Sequence, residues 1–149
     1  MNLNPVNQLS LYGHHTQLLN FVELYKNKNL PNKILLSGEK GIGKSTLAYH
    51  IINQILSFYK GFSYDIKNFR INPENKSFIL ITNKSNPNFI SVDIDDDKKN
   101  INVNQIRNLI LTLNKSSFNT KPRLVLIDNI ELLNINSVNA LLKIVEEPS

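Results

Sequence analysis

The chain has no cysteine among its 149 residues. Without thiols it can form neither disulfides nor metal sites with thiolate ligands, and His14, His15 and His50 lack the spacing of a zinc site. We therefore expect no zinc and no other structural metal. The sequence also lacks a run of about 18 apolar residues and a basic, apolar secretory signal at its start. These absences predict a protein without a membrane partner and, by default, a cytoplasmic location.

Acidic residues are the minority charge, with 12 Asp and Glu against 17 Lys and Arg and a net charge of +5. This balance permits an acidic partner such as DNA, although the basic residues are scattered along the chain. Hydrophobic residues make up 41% of the sequence, which is enough for a core. Length and composition together predict one domain over residues 1–149.

Glycine is scarce, yet three of the five glycines lie between positions 38 and 45. The order there is Gly-Glu-Lys-Gly-Ile-Gly-Lys-Ser, which matches two glycines separated by four residues and followed by Lys and a hydroxyl residue. Glycines let successive backbone N–H groups point at one anion, and the positive N-terminal end of a following helix assists them. The pattern predicts a site for the phosphates of ATP.

Each residue type in this loop has an expected role. Lys44 is expected to reach the β- and γ-phosphates, and the Ser45 hydroxyl to bind Mg²⁺, with Thr46 as a substitute. The residues that we predict to bind nucleotide are Gly38, Glu39, Lys40, Gly41, Ile42, Gly43, Lys44, Ser45 and Thr46.

Apolar spacing predicts strands alternating with helices, and hence an α/β fold with a mostly parallel sheet. Short apolar runs predict strands at 33–37, 78–82, 89–94 and 123–128. Helical spacing predicts four helices: at 13–25, after Lys44, at 103–113, and from Asn136 or Ser137 to Pro148. The helix after Lys44 has an apolar stripe of Leu47, Ile51, Ile55 and Phe58, and Asn102 is the expected cap of the helix at 103–113. Residues 61–76 have no clear period and are expected to form a connection or an irregular excursion.

The strand at 123–128 ends in a carboxylate, Asp128, and ligands of parallel sheets bind beyond the carboxyl ends of strands. In P-loop enzymes Mg²⁺ is held by the loop hydroxyl and by such an acid, so Ser45 and Asp128 are the predicted magnesium ligands. An alternative is that Asp128 only caps the following turn. The adjacent carboxylates at 95–97 are better interpreted as a solvated loop than as a metal site.

The run from Asp128 to Pro148 resembles the bacterial clamp-loader ATPase subunits of DNA polymerase III, and in particular their delta-prime branch. In that family Asn-Ala-Leu-Leu-Lys, here 139–143, and Leu-Glu-Glu-Pro, here Val-Glu-Glu-Pro at 145–148, follow the magnesium-binding acid. Similar stretches occur at 11–14, 41–44, 86–89 and 103–107.

The resemblance implies a three-layer P-loop NTPase fold of the AAA+ type. It also implies ATP and Mg²⁺ as ligands, and a ring of several clamp-loader subunits that places a sliding clamp on primed DNA. Residues 139–148 would then form a helix at the ring interface or facing DNA, whereas their periodicity alone favours an ordinary packing helix.

Three departures from the family pattern qualify these implications. Asn129 stands where active relatives have a water-orienting Glu, and Glu131 is a weak candidate to replace it, so we expect nucleotide binding to exceed hydrolysis. The cysteines that bind zinc in many relatives are absent. The family's sensor, arginine-finger, lid and collar regions follow later in its pattern, so the nucleotide-binding domain is expected to be incomplete, and Arg70, Arg107 and Arg123 do not match the finger motif.

Two other functions are compatible with the same residues. One is a self-sufficient P-loop ATPase or kinase, for example an AAA+ DNA motor, which Asn129 disfavours because an amide cannot accept a proton. The other is a structural subunit without nucleotide binding, which the intact Gly43-Lys44-Ser45 disfavours.

Overall fold

The computed structural model describes residues 3–57, 61–115 and 119–146. Contacts divide the chain into two compact units, residues 1–86 and 87–149, which we describe separately. The first unit is built from helices, and the second contains two parallel strands with helices. This confirms the α/β class and the parallel strand arrangement. The prediction of one nucleotide-binding domain over 1–149 stays a prediction.

In its described residues, the first unit has three α-helices and a short 3-10 helix at Pro5–Asn7. Helix α1 spans His15–Lys26, α2 spans Lys44–Ser57 and α3 spans Lys76–Thr82. The predicted apolar stripe of α2 is buried at Leu47, Ile51 and Ile55, whereas Phe58 lies outside the described residues. Among the residues that the structure describes, no helix has both the length and the apolar character needed to span a membrane.

The predicted strand at 78–82 is wrong, because this segment is part of α3. The Asn75 side chain accepts hydrogen bonds from the backbone N–H groups of Ser77 and Phe78 and so caps the helix. Phe78 and Ile81 are buried while Ile79 is 44% exposed, which is a helical spacing. A short apolar run is compatible with a strand or a helix, and here the Asn75 cap favours the helix.

The predicted buried strand at 33–37, directly before the glycine loop, is also wrong. These residues form no strand in the structure, and the side chains of Ile34 and Leu35 are 46% and 75% exposed. A strand is stable only when its backbone groups pair with a neighbouring strand, and an apolar run does not by itself provide that neighbour. Composition was therefore insufficient evidence for a strand.

Residues 61–75 lie between α2 and α3 and contain a tight turn, so this part of the predicted range is a connection, whereas Lys76 already belongs to α3. Asp65 and Arg70 exchange two backbone hydrogen bonds across this turn, at 2.8 and 3.0 Å. The Asp65 carboxylate accepts a side-chain hydrogen bond from Asn68 and backbone hydrogen bonds from Asn68 and Lys67. These bonds hold the pKa of the Asp65 carboxyl below its usual value, with the Asn68 side chain as the main cause.

The turn positions Tyr64 against α2. The Tyr64 hydroxyl donates to Nδ1 of His50 at 2.7 Å, and Nε2 of His50 donates to the Gln8 carbonyl at 3.1 Å. Burial lowers the pKa of His50 from 6.5 to about 4, and the bond to Gln8 opposes that shift. Burial also raises the pKa of Tyr64. A neutral imidazole thus joins three segments of the first unit.

The second unit contains strands β1, Phe89–Val92, and β2, Leu124–Ile127, which pair in parallel with Phe89 opposite Leu124. Helix α4, Val103–Leu113, connects them, and α5, Ile135–Glu146, follows β2. The fully buried side chains of Ile101 and Ile106 form the centre of the core. Residues packed around that centre include Val92, Leu109, Ile127, Ala140, Leu141 and Ile144.

These elements confirm four predictions for the second unit. The strands at 89–94 and 123–128 are present with shorter bounds, and α4 has the predicted bounds. Asn102 caps α4 in a reciprocal capping box with Gln105. Helix α5 packs Ala140, Leu141 and Ile144 on the core beside α4, and its predicted end at Pro148 lies outside the described residues. The role of residues 139–148 at a ring interface or facing DNA stays a prediction.

Arg123 caps the C-terminal end of α4. Its Nη1 donates to the carbonyl groups of Thr112, Leu113 and Lys115, each at 3.0 Å. The last carbonyl groups of a helix have no partner within the helix, and a cation beside them is favourable. Arg123 therefore has a structural role in the second unit.

Replacing Arg123 by Met should lower the free energy of unfolding by about 1–2 kcal/mol, because the carbonyl groups lose a charged donor while the apolar stem remains. Urea denaturation would measure this loss. Arg107→Met is the matched control. Arg107 is exposed on α4, the helix whose end Arg123 contacts, and its substitution should change stability little. Equal losses in both variants would contradict the capping role.

Candidate functional site

The loop at 38–45 has a backbone that requires glycine. Gly41 and Gly43 have φ angles of 85° and 96°, in the left-handed region that strains other residues. A Cβ at Gly41 would meet no atom within 4 Å, so conformation and not crowding requires glycine there. Local sequence pattern thus correctly predicted a tight glycine turn at this point.

The side chain of Lys44 folds back over this turn. Its Nζ donates to the carbonyl groups of Gly38 and Glu39, both at 2.8 Å. Helix α2 begins at Lys44, and the Leu47 N–H donates to the Gly43 carbonyl at 2.9 Å. The N–H groups at the start of a helix lack intrahelical acceptors and favour an anion. An ammonium group and helix N–H donors are therefore grouped at one end of α2.

His14 contacts the same loop, and the sequence analysis missed this. Its Nε2 donates to the Ile42 carbonyl at 2.6 Å. A Cβ on Gly43 would lie 3.6 Å from the His14 ring, so the ring also packs against the loop backbone. The only sequence signal was that His14 belongs to one of the stretches similar to clamp-loader subunits. His14 is a positioning residue for the loop.

The other predicted loop residues differ in exposure. Glu39, Lys40 and Ile42 are exposed, whereas Ser45 and Thr46 are half-buried at the start of α2. Their assignment to nucleotide binding stays a prediction.

The second group of predicted residues follows the strand ends of the second unit. Asp128 comes directly after β2, and its N–H donates to the Val92 carbonyl at 2.9 Å, which extends the strand pairing. Its Oδ1 accepts a hydrogen bond from the Asn129 N–H at 2.9 Å. This contact joins neighbouring residues, and both the capping alternative and the magnesium role of Asp128 stay predictions. A carboxylate has a second oxygen, so capping is compatible with binding a metal.

Asn129 takes a left-handed conformation, with φ 50° and ψ 44°, which Asn tolerates better than most residues. Its Nδ2 donates to Oδ1 of Asp93 at 2.7 Å. Asp93 directly follows β1, and the sequence analysis did not select it. The signal was available, since both strands of this parallel pair are followed by an aspartate.

Glu131 lies exposed in the short 3-10 turn Ile130–Leu132, and its role as a substitute carboxylate stays a prediction. The acidic residues at 95–97 are exposed in a loop, as expected. Within residues 3–57, 61–115 and 119–146, no group of three or more His, Asp or Glu side chains is arranged to hold a metal ion. The absence of zinc stays a prediction. So does the pairing of Ser45 with Asp128 around Mg²⁺, because these residues belong to different units.

With this geometry established, comparison with known proteins identifies the family. Residues 13–149 match the family described as DNA polymerase III, delta subunit, and the chain belongs to it. The matched range includes the glycine loop, both aspartates at the strand ends and α5. The resemblance seen in the sequence is thereby confirmed.

Three relatives illustrate the similarity. The chain is 31% identical over 115 residues to DNA polymerase III subunit delta' of Pseudomonas aeruginosa, covering 77% of this chain and 33% of that protein. It is 32% identical over 123 residues to subunit delta' of Buchnera aphidicola, covering 78% and 35%. It is 28% identical over 143 residues to subunit gamma/tau of Mycoplasma genitalium, covering 96% and 22%. The chain thus spans about a third of the length of these delta' relatives.

Proposed function

We propose that this chain is a nucleotide-binding AAA+ module of the DNA polymerase III clamp loader, with a P-loop NTPase fold. The observation that carries the proposal is the loop at 38–45, whose left-handed glycines lead into α2 beside the Lys44 ammonium. Membership of the family and the names of the relatives support the replication role.

The residue types fit ATP with Mg²⁺. Lys44 would exchange its two carbonyl acceptors for phosphate oxygens, which carry more negative charge. The Ser45 hydroxyl and the Asp128 carboxylate are oxygen ligands of the kind that Mg²⁺ prefers. Gly38, Glu39, Lys40, Gly41, Ile42 and Gly43 would surround the phosphates with backbone, and Thr46 would extend the site into α2.

The partners follow from the relatives' names and from charge. We infer that the chain acts with other clamp-loader subunits in a ring, and that this ring places the sliding clamp on primed DNA. The net charge of +5 is compatible with contact to DNA phosphates. Mixing the protein with candidate ring subunits and asking for a stable complex by size tests the assembly.

Titration with nucleotides tests the phosphate site directly. ATP and ADP with Mg²⁺ should bind at least about tenfold more tightly than AMP, because AMP lacks the phosphates that Lys44 would contact. The base and sugar are identical in all three ligands, so AMP is the internal control. Equal affinity for AMP, or no binding of any of them, would contradict the proposal.

Hydrolysis should be weak, because residue 129 is an amide and cannot accept a proton from water. The alternative function, a self-sufficient AAA+ DNA motor, requires turnover by the purified chain that DNA stimulates. Measuring ATP turnover with and without DNA and clamp separates the two functions.

A further inference from the structure

The ends of the two parallel strands are joined by one side-chain pair. Asn129, after β2, donates its amide Nδ2 to Oδ1 of Asp93, after β1, at 2.7 Å. The acceptor is a carboxylate and offers no hydrogen, so the amide must present its nitrogen. The pair therefore joins a carboxylate acceptor to a neutral amide donor.

Asp93 is exposed, and further hydrogen bonds hold the strand end that carries it. Its Oδ1 also accepts from the Ile94 N–H at 2.7 Å, and its backbone carbonyl accepts from Nε2 of Gln105 at 2.7 Å. Gln105 is itself fixed, because its Oε1 accepts from the Asn102 N–H at 2.9 Å in the capping box of α4. The start of α4 thus holds the strand end that carries Asp93.

Position 129 is correspondingly restricted. Its backbone N–H is bound to Asp128 and its left-handed conformation directs the side chain to Asp93. A carboxylate here would face the Asp93 carboxylate and follow Asp128 in the chain, which places a third negative charge beside two others. Like charges in such contact repel, and the repulsion weakens with added salt.

We propose that Asp93 is a positioning residue that reserves position 129 for an amide, and so keeps a water-orienting carboxylate out of the nucleotide site. The part of this proposal that concerns nucleotide rests on the proposed function above. In consequence, restoring Glu at 129 alone does not restore hydrolysis. The Asp93 charge must be removed as well.

A double-mutant cycle tests the pairing without nucleotide. Glu and Gln side chains have the same length and similar backbone preferences. The difference in stability between Asn129→Glu and Asn129→Gln therefore isolates the charge at position 129. With Asp93 present, the equilibrium constant for unfolding should be about threefold to tenfold larger for Asn129→Glu than for Asn129→Gln. The difference should become smaller with Asp93→Asn, where only the Asp128 charge remains beside position 129, and it should also shrink in about 1 M salt. An unchanged difference in the Asp93→Asn background would overturn the proposal.

Turnover in the assembled ring tests the consequence for the nucleotide site. The double variant Asp93→Asn with Asn129→Glu should hydrolyse ATP faster than wild type and faster than Asn129→Glu alone. Equal turnover in the single and double Glu variants, or no gain in the double variant, would overturn the proposal. If wild type binds no nucleotide at all, the proposed function fails, while the stability cycle still decides whether Asp93 and Asn129 are paired.

Discussion

Replacing Lys44 by Ala is expected to weaken ATP and ADP binding by about 10- to 100-fold, the effect of losing one charge-assisted hydrogen bond to phosphate. The Lys44 ammonium lies over the glycine turn, where it already binds two carbonyl oxygens at 2.8 Å. Alanine has the highest helix propensity, so α2 should still begin at this position. Equilibrium titration with a labelled nucleotide at fixed Mg²⁺ measures the change.

Lys40→Ala is the matched control for this experiment. It removes the same charge from the same loop, but the Lys40 side chain is exposed, and the proposed contribution of Lys40 to the site is its backbone, which the substitution keeps. Affinity should change by less than about twofold, since an exposed charge is screened by solvent and salt. Equal losses in both variants would show a general effect of charge, and the specific role of Lys44 would be wrong.

Acidification is expected to destabilise the first unit through His50. The pKa of His50 is lowered from 6.5 to about 4 in the folded protein, so the folded state resists a proton that the unfolded chain accepts. Its contribution to stability is fully present above pH 6.5 and is lost as the pH falls from 6.5 towards 4. The loss should reach about 3 kcal/mol at the acidic limit, by the conversion of pKa difference into free energy.

Denaturant unfolding at several pH values between about 7.5 and 5 tests this, because most carboxyl groups remain ionised there. His50→Gln cannot titrate, so its stability should be lower at neutral pH but nearly independent of pH over this range. His15→Gln is the matched control, since His15 lies outside the core and stacks on Phe69. A wild type whose stability is equal at both ends of the range would contradict the buried, neutral His50.

Helices were predicted more accurately than strands, and the residues show why. Asn102 and the stripe from Val103 to Leu113 specify α4 within a dozen positions, so the predicted bounds agree with the structure. The apolar runs at 33–37 and 78–82 look like strands, yet one forms no strand and the other belongs to α3. A strand depends on a distant partner, whereas a helix forms its hydrogen bonds within its own segment.

In the candidate site, too, local features were predicted from the sequence and long-range contacts were not. Gly38 to Ser45 could be identified from sequence because a glycine turn and the start of a helix are local features. Asp128 was placed correctly at a strand end from the four apolar residues before it, although similar runs at 33–37 and 78–82 form no strand. The contacts of His14 with Ile42 and of Asp93 with Asn129 could not be identified, since 28 and 36 positions separate the partners. Contacts between residues this far apart can be inferred from sequence only when related sequences are compared.

The sequence by itself determined the glycine loop, the amphipathic helices, the absence of disulfides and the resemblance to clamp-loader subunits. Each of these depends on residue type and spacing within a short stretch. Only the tertiary structure decided which apolar runs pair as strands and which carboxylate faces the amide of Asn129. Strand pairing and side-chain contacts join distant parts of the chain, and their free energy depends on burial and charge that exist only after folding.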